Sequence, residues 1–377
     1  MVSELATTKV IVSSGVMSRF LGTLKSTVPS NPVLPILDHF RMETEGNTLI
    51  VTASDNIDFL TTRIPVESSN DELICCVPAK LLTDCLASLP EQPITLLFNL
   101  EDSQLLIRTD TGNYELPLTE AIDWPTNTDD GGFDVSLPVE QLQHALYHTA
   151  FATSTDDSKP AMGCVAIESG PSLLHFFGSD GNRLIRVERP NNGLHPFKAL
   201  LPRKAADLLL NKLLKEAAGD VLIIVSPKTI LFEIGPYELL TRQAEGKYPD
   251  VNGLFVQNPY ELEIGKADFI GRLKTLLLFA TKNTAQIRLD LALNKLTLSA
   301  DNDDMKRRAK ETLLASYQDD KMAIGFNGQL LLELVQHVDG ALISFAFRSP
   351  YKAAFIQEQT NDDVTVTSLI MPLMLND

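Results

Sequence analysis

Apolar and polar residues follow two periods along this chain, one near two residues and one near 3.6. The segment VIVSSGVMSRFLGTLKSTV from Val10 opens with a β-branched run and then passes to helical spacing, with Phe20, Leu21 and Leu24 on one face. The same change of period recurs in FDVSLPVEQLQHALYHTAF from Phe133 and in LEIGKADFIGRLKTLLLFATK from Leu262. Each predicts a strand of about four residues, a turn and a helix of about four turns. A second set lies between them: LICCVPAKLLTDCLASL from Leu73, KALLPRKAADLLLNKLL from Lys198 and MAIGFNGQLLLELVQHV from Met322. Corresponding positions are roughly 125 residues apart, which predicts three similar domains, each built from two strand–helix halves. The expected domains are 1–127, 128–256 and 257–377.

The intervening segments predict strands broken by turn residues. They are TLIVTAS, FLTTRIPV, ITLLF, QLLIRTD and NYELPL in the first domain, and CVAIES, LLHFFGS, RLIRVE, VLIIV, ILFEI and YELLTRQ in the second. The third has QIRLDLA, KLTLSA, ETLLASY, ALISFAF, KAAFIQ and VTVTSLIM. The expected class is therefore α+β, with two helices per domain packed on antiparallel sheets.

Charge changes this picture. The chain has 377 residues and a formal net charge of −17, which opposes any indiscriminate coating of nucleic acid. The six helical windows (13–27, 78–89, 138–151, 203–216, 266–282 and 327–339) nevertheless carry eleven basic and seven acidic residues. They are thus about +4, and the remainder of the chain is about −21. One such helix is an ordinary solvated face. Six in a threefold repeat allow another arrangement: two chains closing head to tail would line a ring with twelve helices. At about 9.5 Å between axes, the opening would be roughly 27 Å clear of side chains, enough for duplex DNA.

Catalytic chemistry is hard to find. The acidic pairs Asp129/Asp130, Asp156/Asp157, Asp303/Asp304, Asp319/Asp320 and Asp362/Asp363 fall in turn-rich stretches. His144 and His148 are one helical turn apart but lack a third ligand in the sequence, and the cysteines at 75, 76, 85 and 164 form no CxxC. No Walker A sequence is present. The expectations are no catalytic residues, no metal and no cofactor. MVSELATTKV at the start has no apolar signal core, and no segment is long and apolar enough for a membrane helix, so the expected location is cytoplasmic, with no membrane partner.

Several segments, in order over the whole length, resemble the DNA polymerase III beta subunit family, the bacterial-type DNA polymerase sliding clamps. NPVLPILDHFRMETEGNTLIVTASDNIDFLTTRIPV (31–66) is similar to the family segment around its LPIL. VPAKLLTDCLASLP (77–90) is similar to the helix closing the first domain. SDGNRLIRVE (179–188) resembles T-D-G-H-R-L, with Asn182 in place of the His, and LPRKAADLL (201–209) resembles the V-P-R-K helix. GKYPDVNGLF (246–255) resembles G-x-[FY]-P-D-Y, with no Arg near Gly253. SLIMPLML (368–375) resembles V-V-M-P-M-R-L, with Met374 where an Arg is common.

The resemblance implies three sliding-clamp domains forming half of a closed dimeric ring, and a non-catalytic processivity factor. It implies a peptide-binding pocket of Met162, Ser179, Gly181, Arg183, Leu184, Pro249, Leu254, Ala353, Leu369, Met371, Pro372 and Leu373, with an apolar floor and a changed polar rim. Basic positions expected to face DNA are Lys159, Arg203, Lys204, Lys212, Lys215 and Lys274, although Asn31, Pro160 and Ala161 replace an Arg and two tyrosines. Tyr114 and Leu116 on one side, and Leu278 and Phe279 on the other, are expected at the homodimer interface, unless they belong to each domain's own core. Implied partners are double-stranded DNA without sequence preference, the DNA polymerase III alpha subunit, the clamp loader delta subunit and other clamp-binding-motif proteins. The alternative is an acidic repeat scaffold that binds proteins without encircling DNA.

Overall fold

In the computed structural model, which describes residues 7–68, 72–127, 131–302, 305–359 and 363–375, the two periods become strands and helices in the expected order. The first third holds β1 (Thr7–Ser13), α1 (Ser14–Leu24), β2 (His39–Glu45), β3 (Thr48–Ser54), β4 (Asp58–Pro65), β5 (Glu67–Ser68), β6 (Ile74–Pro78), α2 (Ala79–Ser88), β7 (Pro93–Asn99), β8 (Gln104–Arg108) and β9 (Asn113–Pro117). Next come β10 (Phe133–Pro138), α3 (Val139–Thr149), β11 (Cys164–Ser169), β12 (Leu173–Ser179), β13 (Arg183–Pro190), β14 (Phe197–Pro202), α4 (Arg203–Leu208), β15 (Asp220–Val225), β16 (Thr229–Ile234) and β17 (Tyr237–Arg242). The last third holds β18 (Tyr260–Gly265), α5 (Lys266–Leu277), β19 (Gln286–Ala292), β20 (Lys295–Asn302), β21 (Arg307–Leu314), β22 (Met322–Asn327), α6 (Gly328–Gln336), β23 (Leu342–Phe347), β24 (Ala354–Gln359) and β25 (Thr365–Ile370).

Two compact units emerge, 1–143 with 204–243 and 144–203 with 244–377. The first contains a five-stranded sheet, β5-β1-β7-β8-β9, and an eight-stranded sheet, β10-β15-β16-β17-β4-β3-β2-β6. The second contains an eight-stranded sheet, β14-β11-β12-β13-β25-β24-β23-β18, and a four-stranded sheet, β21-β20-β19-β22. Each eight-stranded sheet takes strands from either side of an expected domain boundary. β4 pairs with β17, and β13 with β25. Backbone hydrogen bonds therefore run continuously across both boundaries, and the contact units follow the sheets.

The helices form for local reasons. Ser13 caps α1 by accepting from the Val16 amide, and Met17, Leu21 and Leu24 bury one stripe. Burial of each such side chain contributes about 1.5–3 kcal/mol. Asn327 caps α6 by accepting from the Gln329 and Leu330 amides. α1 packs on α2, and α5 on α6. Gly178 of β12 is required by close approach: a Cβ there would lie 2.0 Å from the Thr149 carbonyl oxygen at the end of α3.

Three expectations shift. The helix predicted over 203–216 is α-helical only through Leu208 and continues as a wider π turn over Leu209–Leu213. The helix predicted to 282 stops at Leu277. ETLLASY was expected as a strand, but β21 begins earlier, at Arg307, because pairing with β20 extends to Asn302 opposite Arg307. Asp129/Asp130, Asp303/Asp304 and Asp362 lie outside the described residues.

Candidate functional site: an apolar pocket at the β13/β25 seam

The pocket floor is set by strand register. Leu184 of β13 lies opposite Leu369 of β25, which in turn lies opposite Phe355 of β24, so the three side chains stand in one row across the sheet. Ala166, Phe177, Tyr248 and Val251 complete the buried cluster, with Leu200, Phe255, Ala346 and Ala353 half-buried against it. The Phe177 and Tyr248 rings stack at 6.4 Å, and those of Phe255 and Phe355 at 6.3 Å. The Tyr248 hydroxyl is buried without a hydrogen-bond partner, and burial pushes its pKa up.

One wall is a turn at Ser179–Arg183. Gly181 has φ +91°, and a Cβ there would meet only the Met162 methyl, at 3.7 Å. The Ser179 hydroxyl donates to the Arg183 carbonyl at 2.7 Å and accepts from the Gly181 amide. Asp180 Oδ1 accepts from the Asn182 and Arg183 amides. The buried Arg183 guanidinium is fully engaged: Nε donates to Asp180 at 3.0 Å, Nη1 to Glu333 of α6 at 2.6 Å, and Nη2 to the Phe151 carbonyl at 3.1 Å. Arg183 thus braces the turn and α6, using each of its three guanidinium nitrogens.

The chain's last described segment starts at the same turn, because the Met371 amide donates to the Asn182 carbonyl at 2.8 Å. Met371 and Leu254 are both about half exposed, at 46% and 52%, and can cover an apolar ligand. Pro249 is exposed beside the buried Tyr248. The Leu373 amide bonds to the Gly325 carbonyl of β22, so Pro372 and Leu373 lead the chain from the turn to the four-stranded sheet. Register therefore brings together Leu184 and Leu369, with Ala353 packed against them, while the turn gathers Met162, Ser179, Gly181, Arg183 and Met371.

Sequence reasoning passed over Phe355, Tyr248, Val251, Phe177 and Ala166, which make most of the floor. Tyr248 could have been found from its place in GKYPD. A cleft of about 370 Å³ continues along the same sheet face, lined by Arg186, Phe255, Phe355, Gln357 and Thr367 among others. There the Arg186 guanidinium sits 3.7 Å from the Phe255 ring centroid and pairs with Glu188 at 2.6 Å.

Three family models match the chain in succession: the DNA polymerase III beta subunit N-terminal domain over residues 8–128, its central domain over 136–250 and its C-terminal domain over 257–374. The chain belongs to the DNA polymerase III beta subunit family. It is 24% identical to the beta sliding clamp of Pseudomonas aeruginosa over 361 residues, covering 94% of this chain and 96% of that one. Against the beta sliding clamp of Chlamydia pneumoniae it is 24% identical over 384 residues, covering 98% and 100%. The fold matches crystal structures of the DNA polymerase sliding clamps from P. aeruginosa (TM-score 0.91, 22% identity) and Bacillus subtilis (TM-score 0.91, 18% identity). Each alignment covers 98% of this chain and 100% of the other.

Within this beta-subunit fold the expected basic positions differ in availability. Lys159, Lys212, Lys215 and Lys274 are exposed. The Lys204 ammonium forms an ion pair with Asp55, and Arg203 points a donor at the Thr153 carbonyl, 3.5 Å away. At the expected beta-subunit interface, Tyr114 and Leu278 are solvent-exposed, Leu278 by 72%, and Phe279 is half-buried. Leu116 is buried opposite Leu105 in its own domain's core, on β9, the edge strand of its sheet. Asp339, in the turn after α6, lies beside His144 and His148, its Oδ2 3.5 and 3.4 Å from their Nε2 atoms.

All four cysteines are free. Burial pushes the Cys75 thiol up to about 12 and those of Cys76 and Cys164 up to about 11. No helix among the described residues is long and apolar enough to cross a membrane.

Proposed function

We propose that the chain is a DNA polymerase processivity factor: three domains, 1–127, 128–256 and 257–377, forming half of a homodimeric ring around duplex DNA. It has no catalytic residues of its own in this reading. The observation that carries the proposal is the apolar Leu184–Leu369–Phe355 row, with Met371 and Leu254 half exposed beside it, in a chain matched throughout by beta-subunit family models. A row of fixed apolar side chains edged by an adaptable methionine suits short linear peptides. The polymerase alpha subunit, the clamp loader delta subunit and other clamp-binding-motif proteins would supply them. Lys159, Lys212, Lys215 and Lys274 would meet phosphates by sequence-blind contacts, which suits sliding. The acidic remainder of the chain would keep DNA off other surfaces.

The test is retention on nicked circular DNA after loading by the cognate loader. Retention is expected to be lost when the circle is linearised. Equal retention on circular and linear DNA, or none on either, would support the protein-only scaffold instead. In a parallel titration with a peptide from the polymerase alpha subunit, Met371→Glu is expected to weaken binding at least tenfold with the dimer mass unchanged. Unchanged calorimetric affinity would reject the pocket.

A further inference from the structure

We infer that His144, His148 and Asp339 form a binding site for a divalent transition-metal ion of the zinc class, clipping α3 of the central repeat to the turn after α6 of the third. The inference does not rest on the clamp function.

His144 and His148 are four residues apart on α3, so their side chains leave the same face one turn apart. Their Nε2 atoms lie 3.5 and 3.4 Å from Asp339 Oδ2, and the three atoms all lie within 4.8 Å of one another. A tetrahedral zinc site with ligands at 2.0–2.1 Å has edges of about 3.3 Å. Both measured separations are close to that edge and long for a hydrogen bond. His148 supplies an independent observation. Its side chain is only 3% exposed, yet its Nε2 has no hydrogen-bond partner. A buried, unpaired ring nitrogen is costly unless something else fills its lone pair.

The surroundings also hold the third ligand in place. Glu358 accepts the backbone amide of Asp339 at 2.5 Å and fixes the turn that carries the third ligand. Asp339 remains about half exposed, which leaves the fourth tetrahedral position to water. His337 is not a member: its ring stacks on Phe151, and its Nδ1 faces the Glu333 carbonyl.

The fold itself does not demand these histidines. When the three repeat helices are aligned on their first residues, Ser14, Val139 and Lys266, the positions of His144 and His148 hold Arg19 and Thr23 in the first and Gly271 and Thr275 in the third. The pair is therefore an addition to the central repeat, at the place where Asp339 of the third repeat approaches it.

The experiment uses the untagged full-length protein, stripped with a chelator and dialysed. Zn2+ alone is titrated in competition with a chromophoric chelator, and Co2+ is added separately as a spectroscopic probe. One ion per chain is expected, with visible d–d bands of a tetrahedral cobalt site and no intense near-ultraviolet thiolate charge-transfer band. His144→Gln and Asp339→Asn, both at solvent-accessible side chains, should each weaken Zn2+ binding at least tenfold and bleach the cobalt bands. No stoichiometric binding to the wild-type chain would overturn the assignment. So would a thiolate band, which puts the ion on cysteine, or an affinity unchanged in both variants.

Discussion

The first unit contains a turn, Ser54–Asp58, that matches the pocket turn, Ser179–Arg183, almost bond for bond. Asn56 takes φ +79° where Gly181 takes +91°. Ser54 accepts from the Asn56 amide as Ser179 does from that of Gly181. Asp55 accepts from the Ile57 and Asp58 amides as Asp180 does from those of Asn182 and Arg183. The following apolar pairs also correspond, Phe59 with Leu240 and Leu184 with Leu369. The difference is the last residue of each turn. Arg183 satisfies its guanidinium with three partners, whereas the Asp58 carboxylate is buried with no hydrogen-bond partner and its like-charged neighbour Asp55 is already held by Lys204. The backbone shape is thus set by the short Ser and Asp side chains folding onto their own amides, and the terminal charge is free to differ. One seam uses that position for a brace, and the other buries a carboxyl there.

The largest test of this contrast is Arg183→Ala. It would strand Asp180 and break the link to Glu333, so a loss of about 3 kcal/mol is expected in urea unfolding. A loss below about 1 kcal/mol would mean that Arg183 is no brace. Asp58 should behave in the opposite way. Desolvation, together with Asp55, raises its pKa from 3.8 to about 6, against the lowering influence of Thr241 and Lys204. Because the native state holds this proton more tightly, wild-type stability falls as pH rises from about 4 to 6, and the penalty is complete above that window. Asp58→Asn should therefore stabilise the protein by about 2 kcal/mol at pH 7.5 and by almost nothing below pH 4. An equal gain at both pH values would assign the effect to packing instead of charge.

Much of this contrast was hidden in the sequence. The repeat was legible because helix and strand periods recur at near-constant spacing, and most strands begin within two residues of their expected positions. β2 was harder to read, since HFRMETE is largely charged and polar and only its alternate residues Phe40, Met42 and Thr44 are buried. The start of β21 was missed for a related reason: Arg307 and Arg308 join a strand only through pairing with β20. In the pocket, Leu184 and Leu369 were found because they sit within continuous motifs. Phe355 was not, because its place in the row depends on the register of β24 against β25, which no local pattern encodes. Asp339 was missed beside His144 and His148 for the same reason. A ligand delivered by a distant turn leaves no spacing signature.

The smallest test asks whether the two turns are physically interchangeable. A Cβ at Gly181 would have room, since its nearest neighbour is the flexible Met162 methyl at 3.7 Å, so any cost must come from the backbone at φ +91°. Gly181→Ala should then cost about 1 kcal/mol, the usual penalty for an L side chain in the left-handed region. Asparagine tolerates that region better, and Asn56 already occupies it in the first turn. Gly181→Asn should accordingly cost about half as much, measured by the same urea midpoints at constant slope. If asparagine costs as much as alanine, the 12° difference in φ between the two turns matters, and Gly181 is held in a conformation that the first turn does not share.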